Sequence, residues 1–344
     1  MKRSILLLLL SLFSVCLAAQ PRITFRPDEA NEKIDIWFDD HHFTSYVYAE
    51  RMRKVTFYPI TTASGNFVTR GFPYQSRPFE HADHPHQVGL CFIFGDVNGV
   101  DFWNNSYARA SGDAYKYGTI RNTKIVEMKE GIGEATLKVE MEWLDYQGRI
   151  LLTEEATYLF SGTGDSRVIE RTGSLTAASG DVEFKDNKEG LWFIRFDKAF
   201  EEPQSSPELH TDAWGYVMPD RTIISDGAAG VMRNDRGDEK EAGTFSKPTR
   251  WLSNSTVRNE EEITAVLFDH PQNIGYPASA FTRGYGMMAL NNMGVRCYTP
   301  EAAPFYYQLP HGESITFKHK FLLIWDRVPE RTEIESHFND FVRK

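Results

Sequence analysis

Residues 135–160 read ATLKVEMEWLDYQGRILLTEEATYLF, and their rhythm decides the fold class. Ala135, Leu137, Val139, Met141 and Trp143 alternate with Thr136, Lys138, Glu140 and Glu142. A period of two puts successive side chains on opposite faces, so this stretch is a half-buried strand. Asp145-Tyr146-Gln147-Gly148 is a turn signal, and the run Ile150 to Phe160 follows it. The two runs therefore form an antiparallel hairpin.

Working outward, similar runs occur at Ile34–Phe38, Phe43–Tyr48, Val55–Ile60, Gly89–Phe94, Ile120–Met128, Val168–Thr176, Leu191–Phe196, Ile263–Phe268 and Ser314–Trp325. Turn-rich pieces such as Asp96-Val97-Asn98-Gly99 separate them. Helix signals are confined to the tail, from Glu330 to Val342, where Ile334, Phe338 and Phe341 fall on one face. Many strands with no alternation of strand and helix predict stacked antiparallel sheets: an all-β, large antiparallel β-sandwich with a short C-terminal helix. Glu201–Asp220 and Arg233–Lys247 read as long polar loops on that scaffold, the kind of segment that commonly builds sites. No linker interrupts the chain, so residues 20–344 are expected to be a single domain.

The chain opens Met1-Lys2-Arg3-Ser4, runs apolar from Ile5 to Leu17 and exits on Ala18-Ala19-Gln20. A basic start, an apolar stretch too short to span a bilayer and a small-residue exit predict a signal peptide over residues 1–19, cleaved near Ala19. The mature protein is then expected to be periplasmic or secreted, with no transmembrane segment. The net charge of −10 argues against nucleic-acid and anionic-membrane partners. Cys91 and Cys297 remain after cleavage; they either pair or are buried separately as small apolar side chains.

The chemistry concentrates in two copies of Asp-His-Pro. The first lies in His81-Ala82-Asp83-His84-Pro85-His86-Gln87, the second in Asp269-His270-Pro271-Gln272-Asn273. If residues 84–88 are extended, His84 and His86 project to one face. Histidine titrates near neutral pH and is the commonest metal ligand. The cluster therefore predicts either a general acid or base, or a divalent metal held by His81, His84 and His86; the sequence does not require a cofactor. Asp269 is placed to orient His270. Asp186-Asn187-Lys188-Glu189-Gly190 precedes Arg195, a cation inside an apolar run that needs an anionic partner. Trp251 and Arg283 complete the candidates, an indole face suiting a sugar ring and a guanidinium a carboxylate. A P-loop, a dinucleotide fingerprint, a Gly-x-Ser-x-Gly elbow and a Cys-x-x-Cys pair are all missing from the sequence.

The run His84-Pro85-His86-Gln87-Val88-Gly89-Leu90, followed by Gly95-Asp96-Val97-Asn98-Gly99-Val100-Asp101-Phe102-Trp103, resembles the signature of an exported bacterial family of unknown function often labelled "methane oxygenase PmoA". Lys188-Glu189-Gly190-Leu191 with Arg195, Asp269-His270-Pro271 with Asn273 and Pro277, and Arg283-Gly284-Tyr285-Gly286 resemble its later blocks. That family often has a further histidine where this chain has Gln87. The label conflicts with the sequence, because a membrane methane monooxygenase subunit needs several spans. What the resemblance implies is a galactose-mutarotase-like supersandwich and a setting among polysaccharide-utilisation proteins of Bacteroidetes-like bacteria.

These readings combine into an expectation of an exported carbohydrate-active enzyme acting on an oligosaccharide or sugar-derived molecule by acid–base elimination or dehydration. His84 or His86 would transfer the proton with His270 as partner, oriented by Asp269, and Glu189 would be a further acid. Lys188, Arg195, Trp251, Asn273 and Arg283 would bind substrate. A mutarotase-like isomerase and a non-catalytic glycan-binding protein are the alternatives.

Overall fold

The computed structural model describes residues 20–108 and 111–344; the expected leader lies outside them. The hairpin read from the sequence is present as Glu134–Leu144 paired antiparallel with Ile150–Thr163, Leu137 facing Tyr158 and Trp143 facing Leu152. It lies in an eight-stranded sheet that runs Val231–Asn234, Trp251–Arg258, Glu261–Asp269, Ser314–Trp325, Ser166–Ala177, Ile150–Thr163, Glu134–Leu144, Thr119–Lys129. The second sheet has ten strands. Its order is Pro248–Thr249, Ala278–Arg283, Met287–Asn291, Gly190–Arg195, Leu90–Phe94, Thr56–Ile60, His41–Val47, Lys33–Phe38, Arg22–Asp28, Gly131–Ile132. The pairings between these strands are antiparallel throughout, as the absence of βαβ patterning requires. Val182–Lys185 and Tyr306–Leu309 make a small ribbon at the side.

Apolar side chains of the two sheets meet in one large core. Within it Arg171 is ion-paired to Glu154, whose other oxygen accepts from Trp143 Nε1 at 2.8 Å. A guanidinium with no access to water needs such an anion.

Helix Arg331–Val342 covers the outer face of the eight-stranded sheet. Ile334, Phe338 and Phe341 are buried as the 3.6-residue spacing predicts, against Val168, Trp251, Val266, Phe268, Leu322 and Ile324. Among the described residues no helix is long and apolar enough to cross a membrane.

The outer face of the ten-stranded sheet is where polar groups gather. Along Gly190–Arg195 side chains alternate: Trp192 points inward and stacks on His319 of the facing sheet, with centroids 5.8 Å apart. Phe193 and Arg195 point outward, Phe193 onto Trp103 at 4.8 Å and Arg195 onto Asp83. The loops 61–89 and 197–230 fold over this face. Cys91 is buried and Cys297 exposed, and neither is in a disulfide.

Candidate active site

Arg195 ends its strand with a buried guanidinium and no water to solvate it, so it draws polar partners from the loop above. Its Nη2 donates to Asp83 Oδ1 at 2.8 Å and its Nη1 to Gln87 Oε1 at 2.7 Å. A second buried guanidinium, Arg70, fastens the same loop. Arg70 donates to the carbonyls of His81, Asp83, His84 and Gln87, each at 3.0 Å, and to Asp83 Oδ1 at 2.6 Å. Burial, with Arg195 next in weight, lowers the pKa of Arg70 to about 10, still far above neutral pH. The planar fork of arginine suits this task, because one group can hold several oxygens at once.

The segment 84–88 is not extended, contrary to the sequence reading. His84 accepts from Gln87 N at 2.9 Å across Pro85 and His86, which is a turn, and His84 itself takes φ +42°. Proline is favoured at the second position of such turns because its φ is already set. His84 and His86 therefore do not share a strand face. Their rings meet edge to face at 5.5 Å, with His86 buried behind.

His84 is the outer member. Its Nδ1 faces Asp83 Oδ2 at 2.6 Å, and its ring stacks on Tyr285 at 5.3 Å. Burial alone would raise the pKa of Asp83, but Arg195, the His84 hydrogen bond and Arg70 together hold its carboxyl well below the usual range. An ionised Asp83 only accepts, so Nδ1 of His84 carries the proton. Nε2 is left as the basic atom of a side chain 43% exposed and lining an open cleft of about 400 Å³.

The rest of the cleft comes from the long loop after Lys198–Phe200. Residues 80–82 and 209–211 pair as a short antiparallel ladder, with Ala82 N donating to Leu209 O and Thr211 N to Glu80 O. This pairing sets His81 beside His210, with ring centroids 4.7 Å apart. His81 Nδ1 lies 2.8 Å from Glu201 Oε1. Two further carboxylates, Glu202 and Glu241, flank Gly284 at the cleft edge. Glu202 accepts from Glu241 N at 2.6 Å, and Glu241 from Gly284 N at 2.6 Å. Burial and the nearby Glu241 charge raise the Glu202 pKa, against the pull of the backbone hydrogen bond.

Of the residues singled out from the sequence, His81 and His84 line the cleft and Arg195 braces it from behind. Arg283 sits at the rim, 3.4 Å from Glu241 and over the ring of Phe245 at 4.3 Å. Lys188 and Glu189 pair at 3.5 Å outside the lining, although Glu189 is near enough to feel the charge of His84; burial raises its carboxyl pKa, opposed chiefly by Lys188.

The second Asp-His-Pro does not join the first. Asp269 does not orient the His270 ring: it accepts from Asn273 Nδ2 at 2.7 Å, Ala278 N at 2.9 Å and Asn292 Nδ2 at 3.0 Å, and from the backbone N–H of His270. Asn292 follows the strand Met287–Asn291 at the end remote from Met287, the residue paired with Arg195. The length of that strand, roughly 13 Å, therefore separates Asp269 from the level of Arg195. His270 packs edge-on to Phe341 of the C-terminal helix, at 5.1 Å. Asn273 is a clamp on the strand Ser314–Trp325, accepting from Lys318 N at 2.7 Å. Trp251 is 2% exposed beneath that same helix and donates to Glu335 at 3.0 Å, so no indole face is open to a sugar.

His81, His84 and His86 do not converge as a metal set: His81 and His84 spend their Nδ1 atoms on different carboxylates. Among the described residues no group of three His, Cys, Asp or Glu side chains is arranged to share a metal ion.

The family model described as "Family of unknown function (DUF6807)" matches residues 33–339. No curated protein matches the sequence. Among solved structures, the chain is similar to the galactosidase domain of the alpha-galactosidase-sucrose kinase AgaSK, at 9% identity and TM-score 0.41, over 88% of this chain and 41% of that one. It is similar to the GH36 alpha-galactosidase AgaA from Geobacillus stearothermophilus, at 12% identity and TM-score 0.37, over 88% of this chain and 40% of that one. It is also similar to a galactose mutarotase related enzyme from Lactobacillus acidophilus, at 8% identity and TM-score 0.28, over 90% and 98% of the two chains. The chain thus spans about two fifths of the two galactosidase structures.

Proposed function

The chain belongs to the DUF6807 family of unknown function, and we propose that this member is an exported carbohydrate-active enzyme that moves a proton on a sugar residue, leading to elimination or dehydration. The observation carrying this reading is the His84–Asp83 pair: an imidazole with its Nδ1 proton fixed on an ionised carboxylate and its Nε2 in an open cleft. That arrangement orients an imidazole for general acid–base work, with Nε2 turned to the cleft.

An elimination also needs an acid for the departing oxygen. Glu202 fills that role: it lines the same cleft, and its carboxyl is pushed toward the protonated form. Arg221, paired to Glu208 at 2.6 Å, brings a cation to the cleft wall for a carboxylate or a developing enolate. The lining is mostly carboxylate, imidazole, amide and hydroxyl, groups that match a polyhydroxylated ligand. Trp214, 80% exposed on the loop that also supplies Glu202 and Glu208, lies outside the cleft lining and offers an open indole face to a longer glycan. The leader expected over residues 1–19 supports export.

The reading is tested by incubating the protein with acidic and neutral oligosaccharides in D2O and following mass. Loss of one water or chain cleavage with an unsaturated product supports elimination. Deuterium uptake at unchanged composition would instead indicate epimerisation. Faster interconversion of anomers with no mass change would indicate a mutarotase, and binding with neither would leave a glycan-binding protein.

A further inference from the structure

The imidazole of His84 is one that a single hydrogen bond would leave free to turn. Its side chain is 43% exposed, and the Nδ1 contact to Asp83 ties one edge of the ring while allowing rotation about that bond. The plane is set by Tyr285, whose ring lies 22° from that of His84 with centroids 5.3 Å apart. Tyr285 also rests on Arg195, the guanidinium carbon standing 4.3 Å from the ring centroid, and meets His81 edge-on at 6.3 Å. Arg195 in turn donates to Asp83 at 2.8 Å. Asp83, Arg195, Tyr285 and His84 therefore close a circuit, and both holds on His84 trace back to one buried guanidinium.

The tyrosine is itself firmly placed. It is the middle residue of the turn Gly284-Tyr285-Gly286, which joins the paired strands Ala278–Arg283 and Met287–Asn291. Gly286 takes φ +77°, and its N–H closes the turn on Arg283 O at 3.0 Å. From outside, Phe196 N donates to Gly286 O at 2.8 Å and Glu202 N to Gly284 O at 2.7 Å. Burial raises the Tyr285 pKa, with Arg195 and a Gln87 hydrogen bond opposing, so the ring stays a neutral phenol. We propose that Tyr285 is the positioning residue for His84: its ring fixes the plane of the imidazole and so holds Nε2 at the angle from which it moves the proton. The inference rests on the reading of His84 as the acid–base group. Proton transfer needs atoms within hydrogen-bond reach, and a misplacement of about 1 Å can cost about 10²-fold in rate. An aromatic face suits the task, because offset stacking fixes tilt as well as distance and places no competing hydrogen bond on Nε2.

The test combines ring dynamics in the free protein with kinetics on an oligosaccharide that the wild type transforms. In the unmutated full chain, 13C relaxation should show the His84 ring as rigid as its backbone, and Tyr285→Leu should release it to an order parameter below about 0.6. Tyr285→Leu should lower kcat by about 10²-fold with KM little changed. Tyr285→Phe, which keeps the ring, should recover most of that loss. In a His84→Gln background Tyr285→Leu should cost nothing further, because a residue acting through His84 has nothing left to position. A mobile His84 ring in the unmutated chain would overturn the inference without any variant having to fold. So would an equal loss in both backgrounds, which marks a merely structural tyrosine, or a raised KM at unchanged kcat, which marks a substrate contact. Turnover unchanged by His84→Gln would sink the acid–base reading instead, and the two failures are told apart because the ring dynamics are read without substrate.

Discussion

His84 Nδ1 lies 2.6 Å from Asp83 Oδ2, so two adjacent residues form an oriented imidazole–carboxylate pair. The carboxylate is anchored from below by Arg195 and Arg70. The pair is therefore rigid at the carboxylate and open at Nε2, which makes the protonation state of His84 the first thing to test.

In its neutral form His84 should show, by 15N chemical shifts, the Nδ1–H tautomer, with the proton held on the Asp83 carboxylate. In Asp83→Asn the amide can present either a donor or an acceptor, and a mixture of tautomers is expected. Activity in that variant should fall by about 10²–10⁴-fold, the usual contribution of a positioned acid–base group.

Arg70 is a fastening for the whole turn. Arg70→Ala removes five hydrogen bonds and leaves Asp83 the Arg195 guanidinium alone among the described residues. Breaking a buried pair typically costs about 3–5 kcal/mol, and urea unfolding should show a loss of that order. Arg70→Lys should restore little of it, since an ammonium cannot span the four carbonyls.

Asp269 gives a pH signature of its own. Burial raises its pKa to about 7, the hydrogen bonds from Asn292, Asn273 and Ala278 opposing. A carboxyl raised on folding binds its proton more tightly in the native state. The stabilisation is thus complete below the unfolded value of about 3.9 and is lost as pH rises through about 7. Comparing Asp269→Asn with the wild type by urea unfolding at several pH values isolates it. The wild type should lose ground to the variant between pH 4 and 8, by up to about 4 kcal/mol.

The C-terminal helix should act as a lid on Trp251. Phe338→Ala is expected to destabilise the protein by about 3–5 kcal/mol, as for other buried aromatic truncations. In the folded variant the emission of Trp251 should shift to the red as water reaches the indole.

Trp214 offers the opposite case. Being exposed, Trp214→Ala should leave unfolding unchanged and weaken oligosaccharide affinity by roughly 0.5–1.5 kcal/mol, the worth of a stacked aromatic. Calorimetry with the same oligosaccharide checks both halves.

The fold was legible because alternation is a local signal. The hairpin through Trp143 and Leu152, the strand Ser314–Trp325 and the helix face Ile334, Phe338, Phe341 all follow from spacing alone. Short buried strands such as Met287–Asn291 were not legible, because a fully apolar run of five residues has no period to read. In the site, the first Asp-His-Pro stood out by composition, whereas its partners were hidden by distance in the chain. His210 and Glu201 come from a loop recognisable only as long and polar, and the ladder that pairs residue 81 with residue 210 leaves no mark on either segment. Arg70 was equally invisible, since its role is set by four carbonyls. The second Asp-His-Pro carried the same letters with another purpose: Asp269 ties backbone and amide groups at a strand end.

The central claim, that Nε2 of His84 moves the proton, is tested most directly by assaying wild type and His84→Gln side by side on an oligosaccharide that the wild type transforms, with affinity measured on the same samples. The account predicts that the variant binds the sugar with unchanged affinity and has lost about 10²–10⁴-fold in turnover. Equal turnover by the two proteins would contradict it.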